Sequence, residues 1–89
     1  MPEKRVKIKN KLGIHARPAS MIVEVSTKYQ GDIKLQANGM TADAKSILSI
    51  MMLAAEKGTP VIVSVEGTGQ DDLVLSELAD MFENGFGEE

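Results

Sequence analysis

Near the start of the chain, apolar and charged residues alternate, with Val6 and Ile8 set against Lys7 and Lys9. That period of two predicts a β-strand with one buried face. Asn10 to His15 breaks the alternation and reads as a loop, in which Gly13 is free to take backbone conformations other residues resist. From about Ala16 to Lys28 the period lengthens. Ala19, Ile22, Val23 and Ser26 share one helical face, and Met21 and Val25 extend it. Pro18 is compatible only with the first turn of that helix, where its missing N–H is not needed. Several residues are β-branched, so intrinsic helix propensity is weak and tertiary packing must hold the element.

Tyr29, Gln30 and Gly31 close the helix. Ile33, Leu35 and Ala37 then alternate with Asp32, Lys34 and Gln36, a second strand. Asn38-Gly39 is a strong hairpin signal, with Met40 to Asp43 as the returning strand. Ser46 has the position of an N-cap before Ile47, Leu48, Ile50, Met51, Met52 and Leu53. This second helix is apolar nearly all round, so part of it stays exposed unless a partner covers it. Lys57-Gly58 is expected to cap it, and Pro60 prevents continuation. Val61, Val63 and Val65 make a valine-rich strand over Pro60 to Glu66, and Gly67-Thr68-Gly69 a turn. Asp71 and Asp72 fall in the first turn of a last helix, where negative charge is favoured. Val74, Leu78, Met81 and Phe82 form its buried stripe, and Glu83 to Glu89 is expected to fray through Gly85 and Gly87. The order is β-α-β-β-α-β-α. Its economical solution is an α+β fold: a four-stranded antiparallel sheet with three helices on one face.

Composition narrows the function. The 89 residues form a single domain, 1–89, with no internal repeat or linker. There is no cysteine, which excludes disulfides and thiolate chemistry, and the single histidine excludes a multi-histidine metal site. No metal or cofactor is expected. The N-terminus has neither a signal peptide nor a membrane span, so the expected location is the cytoplasm. The net charge of −3 hides an asymmetry. Residues 1–57 carry all ten bases and five acids, whereas residues 58–89 carry eight acids and no base. The basic run Lys4, Arg5, Lys7, Lys9 and Lys11 reads first as a solvated strand face, and second as a rim that steers an acidic partner.

The chemistry concentrates in Gly13-Ile14-His15-Ala16-Arg17-Pro18-Ala19-Ser20. A lone histidine is more often structural than reactive. Here, however, it stands just before a helix start, whose free N–H groups and dipole make a ready anion site. A neutral imidazole nitrogen can attack a phosphoryl donor to give phosphohistidine. The helix amides and Arg17 can then hold the phosphoryl oxygens by charge-assisted hydrogen bonds. A solvated Arg17 is the plainer alternative. A cation at a helix N-terminus is mildly unfavourable, and an adjacent anion would remove that objection.

Residues 13–19, with Asn10 before them, resemble the active-site signature of the HPr family, the histidine-containing phosphocarriers of the bacterial sugar phosphotransferase system. Ala44-Lys45-Ser46-Ile47-Leu48 is similar to the regulatory serine segment of that family, and the likeness covers essentially the whole chain. The resemblance implies an open-faced β-sandwich. It implies that His15 accepts a phosphoryl group on Nδ1 from phosphorylated enzyme I, with help from Arg17. His15 would then pass it to the IIA domain of a sugar transporter. It also implies that Ser46 can be phosphorylated by HPr kinase/phosphorylase, in a branch that can involve a transcriptional regulator.

Ser46 has a capping role in any case, worth about 1 kcal/mol. A phosphate there adds up to about two negative charges at a helix N-terminus and opposes an acidic partner. Ile47, Leu48 and Met51 are the expected partner-binding patch, while Ile50 and Leu53 are assigned to the core. Ser20 and Glu24 are placed at its rim. Ser49-Ile50 and an unusually acidic tail depart from the common family pattern, and neither is expected to touch the phosphoryl site. A regulatory paralogue in nitrogen control or catabolite repression is the nearest alternative. A nucleic-acid-binding module needs aromatics on the sheet. Tyr29, Phe82 and Phe86 all lie outside the predicted strands, and no nucleic-acid partner is expected. Turnover as an enzyme is disfavoured, because no constellation of acid, base and metal gathers beside His15 and Arg17. A monomer is expected, since the partner surface must stay free.

Overall fold

The computed structural model describes residues 2–88. Four strands and three α-helices occur in the predicted order: β1 (Glu3–Lys7), α1 (Ala16–Ser26), β2 (Asp32–Ala37), β3 (Met40–Asp43), α2 (Ile47–Met51), β4 (Pro60–Glu66) and α3 (Asp71–Glu83). The strands form one antiparallel sheet in the order β1-β4-β2-β3. Strand adjacency was open from sequence pattern alone. It is settled by Val61, Val63 and Val65, all fully buried, which make β4 an interior strand. Val63 lies opposite Lys4 of β1 on one side and Leu35 of β2 on the other. Every second residue of β2 is buried, and Ala42 of β3 lies opposite Leu35 at the inner face. Asn38 and Gly39 both take positive φ, as a tight hairpin turn between twisted strands requires.

The first strand ends earlier than the alternation suggests. Ile8 is nevertheless buried, and it bonds through its N–H to Thr59 O (3.1 Å) and through its carbonyl to Gly58 N–H (2.8 Å). Pro18, Ala19, Ile22 and Ser26 form the buried face of α1, with Met21, Val23 and Val25 half-buried against the core. The Ser46 hydroxyl accepts from Ser49 N–H at 3.2 Å, the expected N-cap.

The second helix is shorter than predicted, and Gly58 does not cap it. Helix α2 stops at Met51, and Ala54 takes a left-handed conformation, φ +51°. Tertiary hydrogen bonds explain the early end. Leu53 O accepts from Asn38 Nδ2 (2.9 Å), and Ala55 O accepts from Ile14 N–H (3.0 Å). The chain leaves the helix to deliver these carbonyls. A left-handed alanine costs about 1–2 kcal/mol, which is comparable with what such bonds return.

The largest departure is the C-terminus. It does not fray. Helix α3 buries Val74, Leu78, Ala79 and Phe82, with Met81 half-buried. Beyond it, Gly85–Gly87 forms a 3₁₀ turn that carries Phe86 back into the core, 2% exposed. The Phe86 ring meets Phe82 edge-on, with centroids 4.9 Å apart. Phe86 itself sits at φ +57°, an unfavourable conformation for a bulky residue that burial of the ring offsets. Glu89 lies outside the described residues. Replacing Phe86 with alanine is expected to destabilise the protein by about 3–5 kcal/mol in urea unfolding. A freely fraying tail would give a change near zero.

Candidate functional site

The site is built on the loop between β1 and α1. Asn10 is 1% exposed, and its Nδ2 donates to Gly13 O at 2.6 Å, while Gly13 N–H donates back to Asn10 O at 3.2 Å. Gly13 has φ +70°. A Cβ there would lie 2.4 Å from Ala55 O, so only glycine lets the loop approach the chain leaving α2. The Ile14–Ala55 backbone bond then fixes His15 in extended conformation at the N-cap of α1. The His15 carbonyl accepts the first helical bond, from Ala19 N–H at 3.0 Å. Ala16 and Arg17 carry the first N–H groups of the helix, which have no intrahelical acceptor. The His15 side chain is 35% exposed and so reachable from solvent.

His15 and Arg17 come together as expected, and a third group joins them. The Glu88 carboxylate lies between them, with its side chain 17% exposed. His15 Nε2 is 3.0 Å from both Glu88 Oε1 and Oε2. Arg17 Nη1 donates to Glu88 Oε2 at 3.0 Å and more weakly to Phe86 O at 3.4 Å. Asn10 Nδ2 donates to Glu88 Oε1 at 3.0 Å. The acidic tail therefore touches the site, contrary to the sequence expectation. The anion that relieves a cation at this helix start is the protein's own carboxylate. One overlooked signal pointed to it: an aromatic residue two positions before Glu88, in a stretch read as frayed. A large apolar ring gains most when buried, and burying Phe86 carries Glu88 inward.

The hydrogen bond to His15 holds the Glu88 carboxyl below its ordinary range, with further lowering from Asn10 and Arg17. Lys9 does the same for Glu83 across a 2.8 Å ion pair, which ties the β1 exit to the end of α3. Both of those side chains are about half exposed, so that pair adds little to stability.

The other predicted residues lie apart from this cluster. Ser46 caps α2 and makes no hydrogen bond to His15 among the described residues. Leu48 is 71% exposed, Ile47 and Met51 are each exposed, and Ile50 and Leu53 are buried. Ser20 and Glu24 are exposed on α1. Sequence reading overlooked exposed Leu12, in the loop just before Gly13, and Met52, at the end of α2. Among the described residues no group of acidic or histidine side chains is placed to hold a metal, and no helix is long and apolar enough to cross a membrane.

Fold and site together define a class: a small open-faced β-sandwich with an accessible histidine at the N-cap of its first helix, joined with a nearby arginine to one carboxylate. Comparison with known proteins gives the family. Residues 2–84 match the family model described as the PTS HPr component phosphorylation site. The chain is 40% identical to the phosphocarrier protein HPr of Pseudomonas aeruginosa, over 99% of this chain and 98% of that one. Its structure is similar to that of HPr-C-His from Thermoanaerobacter tengcongensis, with TM-score 0.91 and 38% identity over 100% and 99% of the two chains. It is also similar to the Bacillus subtilis catabolite repression protein Crh, which was described as a swapped dimer. There the TM-score is 0.73 and the identity 31%, over 94% and 95% of the chains. The chain belongs to the HPr family of phosphocarrier proteins.

Because the folded-state Glu88 pKa is depressed, its ionised contacts stabilise the fold above the ordinary glutamate range. That contribution is lost as pH falls through the depressed value. Wild type is expected to exceed Glu88→Gln in urea stability at neutral pH, and the two unfolding curves should converge on acidification. A gap that stays constant into acid would show that the ionised carboxylate is not the source.

Proposed function

We propose that residues 1–89 act as one phosphocarrier domain in sugar uptake, and that His15 carries the phosphoryl group on Nδ1. The observation that supports this most is the cluster at the start of α1: an accessible imidazole, helix N–H groups and a guanidinium already engaged with an anion. The donor is phosphorylated enzyme I. The Nδ1 lone pair of a neutral ring forms the N–P bond while the bond from phosphorus to the donor breaks. The bonding electrons of that broken bond leave with the donor. Arg17, 58% exposed in its pair with Glu88, has room to turn toward the phosphoryl oxygens. Transfer to a IIA domain reverses the chemistry. A carrier needs no hydrolytic base of its own, which fits a partner substrate better than an enzyme with turnover.

Exposed Ile47, Leu48 and Met51, with Ser20 and Glu24 at the rim, form the surface offered to enzyme I and IIA partners. Leu12 and Met52 extend it. Phosphorylation of Ser46 by HPr kinase/phosphorylase would place negative charge at the edge of that surface. The protein works as a cytoplasmic monomer. The sugar-uptake reading is preferred to a regulatory branch because the HPr proteins of Pseudomonas aeruginosa and Thermoanaerobacter tengcongensis, at 40% and 38% identity, are nearer in sequence than Crh at 31%.

Mixing the protein with phosphoenolpyruvate and enzyme I is expected to give an acid-labile phosphoryl adduct that disappears in His15→Ala. Persistence of the adduct in that variant would overturn the assignment. With ATP and HPr kinase/phosphorylase, an acid-stable adduct is expected on the wild type and none on Ser46→Ala. If the wild type takes no label either, Ser46 is a helix cap alone.

A further inference from the structure

We infer that Glu88 is a positioning residue: its carboxylate holds the proton of neutral His15 on Nε2 and so leaves the lone pair on Nδ1. The inference rests on the carrier reading above for its purpose, but not for its geometry.

An ionised carboxylate only accepts hydrogen bonds. Both Glu88 oxygens lie 3.0 Å from Nε2, so that nitrogen must carry the hydrogen. A ring with its hydrogen on Nδ1 would set the Nε2 lone pair against two anionic oxygens. Nδ1 has no hydrogen-bond partner among the described residues, and the side chain does not cap α1. The one nitrogen with an available lone pair is therefore the one with no hydrogen-bond partner among the described residues.

The carboxylate is itself held from several directions. Asn10, buried and already bonded to Gly13 O, donates to Oε1, and Arg17 donates to Oε2. Glu88 N–H donates to Gly85 O at 3.0 Å, and Phe86 anchors the turn in the core. The depressed pKa of Glu88 keeps it ionised across the neutral range. The titratable and charged groups in direct contact with the carboxylate are His15 from the N-cap and Arg17 from the first turn of α1.

The arrangement suits a carrier. On attack, Nδ1 bonds to phosphorus and the ring becomes a phosphorylated imidazolium that still holds its Nε2 hydrogen. Glu88 faces that positive charge, and no proton has to move during the step. The donor leaves with the electrons of its broken bond to phosphorus.

The test reads the tautomer directly. Ring ¹⁵N shifts are followed as pH is raised, and the tautomer ratio is read on the upper plateau where they stop changing. Wild type is expected to favour the Nε2–H form by roughly tenfold or more, as a charge-assisted bond implies. Glu88→Ala should reduce that excess at least about threefold. Glu88→Gln should do the same, because an amide can donate to a bare Nε2 as readily as it accepts from Nε2–H. Glu88→Asp, which keeps the charge, should restore part of the bias. A ratio unchanged in both Ala and Gln variants would overturn the inference, even if phosphoryl transfer proceeds normally. If the ratio shifts as expected but wild type takes no phosphoryl group from phosphorylated enzyme I, the carrier reading falls and the positioning role stands. With both intact, the rate of Nδ1 phosphorylation should fall in Glu88→Ala in step with the lost tautomer.

Discussion

The approach of the β1–α1 loop to the chain leaving α2 is the constraint on which the site depends. It is a backbone contact, Ile14 N–H to Ala55 O, permitted because Gly13 has no side chain. Its effects run both ways along the sequence. Upstream it places His15 as the last extended residue before α1. Downstream it ends α2 early and turns Ala54 left-handed, which ties the exit of the short apolar helix to the β1–α1 loop. The exposed methionine, leucine and isoleucine side chains therefore belong to a helix whose exit is tied by one peptide–peptide hydrogen bond to the loop that carries the histidine.

A second constraint comes from the far end of the chain. Phe86 packs edge-on against Phe82 inside the core, and the short turn around it brings Glu88 to Asn10, His15 and Arg17. The first and last segments of the sequence therefore share one polar cluster. Asn10 connects the two, since the same amide group supports Gly13 and holds the Glu88 carboxylate. Loss of core packing at Phe86 would be felt at the imidazole, about as far away in sequence as the chain allows.

Most of the architecture was legible from the residues. Alternation marked β2 and β4, Asn38-Gly39 marked the hairpin, Pro18 marked the first turn of α1, and Ser46 marked the start of α2. Each of these signals is local: a side-chain period, a turn geometry or a cap. The failures were of another kind. Lys57-Gly58 and Pro60 predict a later helix end, but the helix stops where the Leu53 and Ala55 carbonyls are claimed by Asn38 and Ile14. Gly85 and Gly87 predict a frayed tail, because two glycines and several acids outnumber one phenylalanine there. They do not outweigh it energetically once a ring finds a buried place.

By itself, the sequence determined the element order, the inward faces of every element except β3 and the identity of the histidine and arginine at the helix start. These follow from periodicity and from the chemistry of single residues. Only the tertiary structure decided strand adjacency, the length of α2 and the presence of Glu88 at His15. Each of those depends on which distant groups meet, and on whether the hydrogen bonds and buried area gained outweigh local preference. Glu88 shows the difference most clearly. No pattern within residues 83–89 specifies an imidazole 73 positions away. The meeting is fixed by a buried ring, a turn and an asparagine whose amide NH₂ donates to both Gly13 O and the Glu88 carboxylate.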